Sequence, residues 1–237
     1  MKAKVGRLWI NDQEFVEGNL YTPSNSPSYE LSAELTFTTG MAGYPETMTD
    51  PSFAGQFICF TAPMIGNYSW ETSNLQSKKI HCAGIITHAT SDLKFIQVCL
   101  EQGIPVFTNT NTRFITMKLR DEGASVGTIT TNIESSSPPI SNFSYDQTNW
   151  VNKTSGFLNC HSSPGNAPIA LWDLGAKQSI YDQLVKTWKA CDVLPATASL
   201  EEIRKYPRLM ISNGPGDPRI LTNQIKILKN LLGTMPI

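Results

Sequence analysis

The sequence has 237 residues, enough for one large domain or two small ones, and its 40% hydrophobic content is ordinary for a globular protein. A formal net charge of -1 and 16% charged residues give no general electrostatic basis for binding nucleic acid or an anionic membrane surface. We therefore expect neither nucleic acid nor a membrane among the partners of this protein.

The N-terminal residues and the cysteines predict a cytoplasmic protein. Met1-Lys2-Ala3-Lys4 leads into a strand-like segment without the apolar core of a signal peptide, and no apolar run approaches the length of a membrane span. The five cysteines are scattered, odd in number and without CxxC spacing. We expect them to be reduced thiols, most of them buried.

Residues 1–133 are predicted to form one α+β unit with mostly antiparallel strands. Apolar helical spacing that begins at Leu93 and stops at Gly103 predicts one helix, and residues 112–122, followed by Gly123, predict a second. Residues 43–46 and 63–67 have the composition of turns. Strands are predicted within 5–39 and at 56–61, 83–87 and 105–108.

The pattern changes in the second half of the chain. Residues 134–166 include two serine- and proline-rich stretches and are predicted to be a linker. Residues 167–237 then alternate between strand and helix patterns, which predicts a parallel, doubly wound sheet and an α/β protein overall. The strands are predicted at 169–173, 192–195 and 209–212, with a fourth beginning at Met235, and the helices at 177–190, 200–205 and 221–232.

The loop after the strand at 209–212 is a candidate binding loop. Gly214 and Gly216 lack a Cβ, so backbone N–H groups there can approach a small polar ligand. Asp217-Pro218 is typical of a helix start, whose positive end would add to the attraction. The same residue types also form ordinary strand-to-helix connections, so the pattern alone leaves both interpretations open.

Other polar residues do not form a complete catalytic set. Cys160 and His161 are adjacent, but neighbours on an irregular segment rarely present both side chains to one substrate. Glu46 and Asp50 are candidates for paired acids, although Asp50-Pro51 is more simply a turn start. No metal-ligand spacing is present around the three histidines, so we predict no metal site.

Three stretches of sequence together resemble the small subunit of glutamine-dependent carbamoyl-phosphate synthetase. The first is Phe37-Thr-Thr-Gly-Met-Ala-Gly-Tyr-Pro-Glu46 with the turns that follow it, and the others are Trp172-Asp-Leu-Gly-Ala-Lys177 and Ser212-Asn-Gly-Pro-Gly-Asp-Pro218. They occur in the family's order over nearly the whole chain. The resemblance implies a small-subunit N-terminal domain at 1–133, the linker at 134–166 and a partial class I glutamine amidotransferase domain at 167–237.

In that family the small subunit hydrolyses glutamine, and a large subunit joins the ammonia to bicarbonate with ATP to make carbamoyl phosphate for arginine and pyrimidine synthesis. By resemblance, Gly40, Gly214 and Gly216 would contact L-glutamine and the N-terminal domain would dock on the large subunit. In some members a serine at the position of Gly40 contacts glutamine. With glycine at this position, only the backbone can make that contact. ATP and divalent metal would belong to the large subunit, so no cofactor is expected in this chain.

The resemblance also implies that the catalytic residues of the family are missing from this sequence. Family members continue beyond the strand that starts at Met235 to a nucleophilic cysteine, and later to the histidine and glutamate that activate it. None of the five cysteines present is at the matching position. We expect a truncated chain that has no catalytic residue and no glutaminase activity alone. The alternative is a non-catalytic homologue that binds a partner or a small metabolite. Asn111 also differs from the usual aspartate.

Overall fold

The computed structural model describes residues 2–68, 70, 73–90, 92–160 and 167–237. The chain forms two compact units, and the second takes two short segments from the first half of the sequence. Unit 1 consists of Met1–Met48, Gly55–Asn74 and Ile80–Tyr145, and unit 2 of Thr49–Ala54, Leu75–Lys79 and Asp146–Ile237. The domain boundaries predicted from the sequence remain predictions.

Unit 1 is built on a closed barrel of seven strands within the described residues. The strands are β1 (Lys4–Trp9), β2 (Phe15–Tyr21), β3 (Glu30–Thr38), β4 (Gln56–Phe60), β5 (Gly84–Thr87), β6 (Val106–Thr108) and β7 (Ser125–Thr130). Their order around the barrel is β1-β2-β6-β5-β4-β3-β7. The neighbours from β3 to β6 are parallel and the remaining pairs are antiparallel. The predicted, mostly antiparallel unit is therefore a mixed sheet, closed on itself.

Three helices belong to the same part of the sequence: α1 (Tyr44–Thr49), α2 (Leu93–Glu101) and α3 (Thr112–Glu122). Asp92 and Asn111 cap α2 and α3 by accepting backbone N–H groups of the first turn. These two helices confirm the prediction. The turn predicted at 43–46 is instead the start of α1, because Gly43 O accepts the N–H of Thr47 at 3.0 Å and proline is compatible with a first helical turn.

Unit 2 contains a parallel three-stranded sheet, ordered β10-β8-β9, from β8 (Ala170–Trp172), β9 (Asp192–Leu194) and β10 (Leu209–Ile211). Its helices in the described residues are α4 (Val151–Thr154), α5 (Gln178–Trp188), α6 (Leu200–Ile203) and α7 (Thr222–Leu231). The alternation of strand and helix confirms the predicted doubly wound pattern. The fourth strand predicted to begin at Met235 is not formed in residues 235–237, although Leu209 N–H donates to Pro236 O at 3.1 Å.

Both faces of the sheet in unit 2 are covered. Ala170 and Trp172 pack into one apolar cluster, whereas Ile169 and Leu171 pack into another. Successive strand residues point to opposite faces, so two clusters on alternating residues mean a sheet buried on both sides. None of the helices in the described part of the chain has the length and apolar character needed to cross a bilayer.

Candidate functional site

The predicted binding loop lies at the carboxyl end of β10, next to the loop that leaves β8. Because β8 and β10 are parallel neighbours, their following loops meet at the same edge of the sheet. Ser212 connects them: its N–H donates to Trp172 O at 3.2 Å, and its hydroxyl accepts the N–H of Leu174 at 2.9 Å. The same hydroxyl donates to Asn213 O at 2.6 Å, which fixes the start of the loop.

Gly214 has no room for any side chain. A Cβ at this position would lie 2.1 Å from the carbonyl oxygen of Leu174, far inside van der Waals contact. Gly175 is similarly restricted on the facing loop: its φ is +109°, and a Cβ there would lie 2.7 Å from Cδ of Pro215. The two loops therefore pack backbone against backbone, which only glycine allows. Gly216 has φ +81° and is also in the left-handed region.

The outer side of this loop is accessible. Asn213 and Gly214 are exposed, and within the described residues neither backbone N–H donates a hydrogen bond. Exposed, fixed N–H groups can bind a carboxylate or another oxygen acceptor without reorganisation. The chemical capacity of the loop is therefore to hold a small polar ligand by its backbone.

Asp217 behaves as predicted, but the helix that it caps is short. Its carboxylate accepts the backbone N–H of Arg219 at 2.8 Å at the start of a 3-10 turn, Pro218–Ile220. Hydrogen bonds from the Arg219 side chain and backbone hold the pKa of Asp217 below its ordinary value. The α-helix α7 begins only at Thr222 and lacks a side-chain cap. The expected positive helix end is thus replaced by a single short turn.

Asp173 is a residue that sequence reasoning missed. It directly follows β8, is 1% exposed, and accepts three backbone N–H groups. One oxygen accepts from Gly175 at 2.9 Å and Ala176 at 2.8 Å, and the other accepts from Gly156 at 2.7 Å. An aspartate at a strand end before glycine is typical of such a turn, and that signal was present in the sequence.

The segment Thr49–Ala54 also contributes to unit 2 at this edge. Ser52 Oγ accepts a hydrogen bond from the side-chain amide of Asn213 at 2.8 Å. Asp50 pairs with Lys177 Nζ at 2.5 Å and accepts the backbone N–H of Ser52 at 2.9 Å. Nothing in the linear pattern links positions 50–52 with 177 and 213, so sequence reasoning could not find these contacts.

The other candidate residues predicted from the sequence lie outside the loop at 213–217. Gly40 lies in unit 1 after β3, is exposed, and its N–H donates to Thr38 Oγ1 at 3.3 Å. Its role in glutamine binding stays a prediction that only the resemblance supports. Cys160 is exposed, and His161 lies outside the described residues. Asp50 caps the turn Pro51–Phe53, in line with the simpler interpretation of that residue.

The cysteines confirm the expectation of free and mostly buried thiols. Cys160 is exposed, and the other four, Cys59, Cys82, Cys99 and Cys191, are buried. Burial raises the pKa of Cys59 and of Cys99 to about 12. Thiols of this kind are poor nucleophiles because the thiolate is the reactive form.

Comparison with known proteins agrees with the two-part organisation. Residues 8–129 match the family model for the carbamoyl-phosphate synthase small chain, CPSase domain. Residues 170–237 match the model for class-I glutamine amidotransferases. The second match includes β8, β10 and the loop that holds Gly214 and Gly216.

Curated relatives carry matching names. The chain is 33% identical to the carbamoyl phosphate synthase small chain of Caldanaerobacter subterraneus subsp. tengcongensis, over 98% of this chain and 65% of the relative. It is 33% identical to the arginine-specific small chain of Candida albicans, over 97% of this chain and 59% of the relative. It is 32% identical to the carbamoyl phosphate synthase small chain of Methanococcus maripaludis, over 98% of this chain and 66% of the relative. The chain thus spans about 60 to 65% of the length of the first two relatives. From these matches, the chain belongs to the carbamoyl-phosphate synthase small chain family.

Proposed function

We propose that this protein supplies the glutamine-binding loop of a glutamine-dependent carbamoyl-phosphate synthase, and that residues 213–216 hold L-glutamine. The observation that carries the proposal is Gly214, which is exposed to solvent on one side and pressed against the Leu174 carbonyl on the other. A side chain is excluded there, so the position presents backbone alone. Gly216 supports the proposal through its left-handed φ of +81°.

In the complete enzyme, ammonia released from glutamine would pass to a large subunit that makes carbamoyl phosphate from bicarbonate and ATP. The N-terminal part of the chain would dock on that subunit, which would also hold ATP and divalent metal. The product would serve arginine or pyrimidine synthesis in the cytoplasm. The family match supports this assignment.

Glutamine hydrolysis is not expected from these 237 residues by themselves. Covalent attack on the glutamine amide requires an activated nucleophile and a general base close to it. By the resemblance, none of the five cysteines within residues 1–237 stands at the position of the family's nucleophile. The proposal for this chain is therefore binding of glutamine without turnover.

Isothermal titration of the 237-residue chain with L-glutamine tests this proposal, with D-glutamine and L-glutamate as matched controls. We expect saturable binding of L-glutamine with a Kd below about 1 mM, the range of ordinary substrate affinities, and weaker binding of both controls. A coupled ammonia assay on the same sample should show no release above a protein-free blank. No saturable L-glutamine binding would contradict the binding proposal, and measurable ammonia would contradict the absence of turnover.

Docking is tested separately by sedimentation velocity of the chain mixed with the large subunit from the same organism. We expect a faster-sedimenting complex that neither protein forms alone. Complex formation without glutamine binding would favour the alternative function, a non-catalytic homologue that binds its partner. Two independent boundaries would contradict the docking proposal.

A further inference from the structure

A second concave site lies in unit 1, away from the glycine loop in the sequence and in a different compact unit. It is a cavity of about 650 Å³. Its lining includes Thr39, Thr61 and His88, which directly follow β3, β4 and β5. Because β3 to β6 are parallel neighbours, their carboxyl ends meet at one edge of the barrel. Such an edge is where parallel sheets commonly bind ligands.

Three basic side chains line this cavity. Arg113, Arg120 and His88 line it, and no carboxylate occurs among the lining residues that the structure describes. Within the described residues the Arg113 guanidinium makes no hydrogen bond or ion pair. Arg120 pairs only with its exposed neighbour Asp121, at 2.8 Å, in the described part of the chain. Arg113 therefore brings to the cavity a positive charge that no described residue pairs, whereas the charge of Arg120 is shared with Asp121.

The histidine is held in one orientation by the segment before α3. His88 Nδ1 lies 3.1 Å from Thr110 O, and Thr110 N–H donates to His88 O at 3.2 Å. This reciprocal pair engages one ring nitrogen and leaves Nε2 without a partner among the described residues. A ring fixed in this way needs no rearrangement to meet a ligand.

The same segment contains a buried hydroxyl group. Asn109 before it has φ +59°, a left-handed turn conformation that asparagine tolerates. Thr110 is 6% exposed, and its hydroxyl has no hydrogen-bond partner in the described structure. Buried hydroxyls are normally bonded, so such a group marks an unusual environment. This unpartnered hydroxyl belongs to the residue that directly precedes Asn111 of the cavity lining.

The N-terminus of α3 adds partial positive charge to the cavity through the helix dipole. Asn111 caps the helix by accepting the N–H of Phe114 at 3.0 Å, and the eleven-residue helix lines the cavity from Thr112 to Arg120. Its positive end therefore adds to the field of Arg113 in the first turn. Pro63 and Met117 supply apolar wall beside these cationic groups. A volume in this range is typical of small-molecule sites.

We propose that this cavity binds a small organic anion, with a carboxylate or phosphate held by Arg113, Arg120 and His88 and an apolar body against Pro63 and Met117. Its ligand is distinct from glutamine, because no carboxylate among the described lining residues is available to pair with an ammonium group. The cation-rich rim sets the charge of the ligand, and the apolar wall favours a carbon body over a bare inorganic ion.

Phenyl phosphate, inorganic phosphate and phenol are the probes, added to ¹⁵N-labelled 237-residue chain at 0.1 M salt and followed by amide chemical shifts. We expect saturable shifts at Arg113 and Thr116 with phenyl phosphate, and affinities at least tenfold weaker for phosphate and for phenol. Arg113→Gln should weaken phenyl phosphate binding at least tenfold. Arg204→Gln removes the same charge from an exposed position in unit 2 and should leave binding unchanged.

Each outcome has a defined meaning. No saturable shift with phenyl phosphate, or equal affinity in Arg113→Gln, would overturn the site. Inorganic phosphate binding as tightly as phenyl phosphate would overturn the assignment of an organic ligand. Arg120→Gln serves as a second variant if Arg113→Gln lowers the melting temperature, and the same loss of affinity is expected from it. Failure of glutamine binding elsewhere in the chain does not affect these measurements.

Discussion

At the scale of single residues, one glycine and one aspartate hold the candidate glutamine site together. Gly214 permits the contact between the loops after β8 and β10. Asp173 accepts hydrogen bonds from backbone N–H groups of the loop after β8. Gly214 has no side chain and the Asp173 side chain is buried, so neither residue contacts a substrate through its side chain. Their effect is to fix backbone N–H groups in place before a ligand arrives, which lowers the entropic cost of binding.

Gly214→Ala is expected to destabilise the protein by about 2 to 4 kcal/mol, because its Cβ would meet backbone that cannot move independently. Glutamine binding should be lost with it. Gly40→Ala is the matched control, since a Cβ there meets no atom closer than 3.5 Å and should change stability by less than about 0.5 kcal/mol. Urea unfolding of both variants measures the difference. Equal stability of Gly214→Ala and wild type would contradict the close approach.

Asp173→Ala is expected to cost about 3 kcal/mol or more, because three backbone donors lose their acceptor in a buried site. Asp173→Asn keeps one side-chain oxygen and should cost clearly less. Guanidinium unfolding midpoints with a common m-value give the comparison. If the two variants were equally stable, hydrogen bonding by the carboxylate would not explain why Asp173 is buried.

At the scale of an element, α6 shows how a short helix is stabilised at its start. Ser199 Oγ accepts the N–H of Glu202 at 3.2 Å, and the Glu202 carboxylate accepts the N–H of Ser199 at 2.7 Å. This reciprocal arrangement is a capping box. The backbone and side-chain hydrogen bonds with Ser199 lower the pKa of Glu202 from its ordinary value of 4.5.

Because the pKa of Glu202 is lowered in the folded protein, its contribution to the free energy of unfolding depends on pH. Because folding favours the carboxylate, this cap contributes stability at pH values above 4.5 and loses it as the pH falls through the lowered pKa. NMR titration of the Glu202 side chain should show the low value in wild type and a return toward 4.5 in Ser199→Ala. Glu201, exposed on the same helix, is the internal reference. An unchanged Glu202 titration in Ser199→Ala would contradict the contribution of the Ser199 hydroxyl, since alanine keeps the backbone N–H that also bonds Glu202.

At the scale of the whole molecule, burial determines which thiols can react. Burial raises the pKa of Cys191 to about 11 and that of Cys82 well above its ordinary value, as it does for Cys59 and Cys99. Cys160 is exposed. The folded protein should therefore present one accessible thiol out of five.

Titration of the native protein with a thiol reagent at pH 8 should give one fast equivalent, and the other four only on unfolding in guanidinium. Cys160→Ser should abolish the fast phase and leave the total at four. A fast phase of two or more equivalents in wild type would show that the buried thiols are reached in the native state. That result would contradict the compactness of the cores around them.

The local elements and the family could be predicted from the amino-acid sequence. Helices α2 and α3 follow from apolar spacing and glycine stops, and the alternation after residue 167 follows from short-range pattern. The three motifs identified the carbamoyl-phosphate synthase small chain family, which the family match confirms. Asp217 was found as a cap because its hydrogen bond is to a residue two positions away.

Features that depend on contacts between distant parts of the chain became visible in the folded structure. Closure of the barrel rests on pairs such as β1 with β7 and β2 with β6, whose registers are set by packing and not by local propensity. The bond between Ser52 and Asn213 joins positions 161 residues apart, and the cavity in unit 1 exists because parallel strand ends converge. Local pattern carries no information about such contacts, since they form only when the chain is folded.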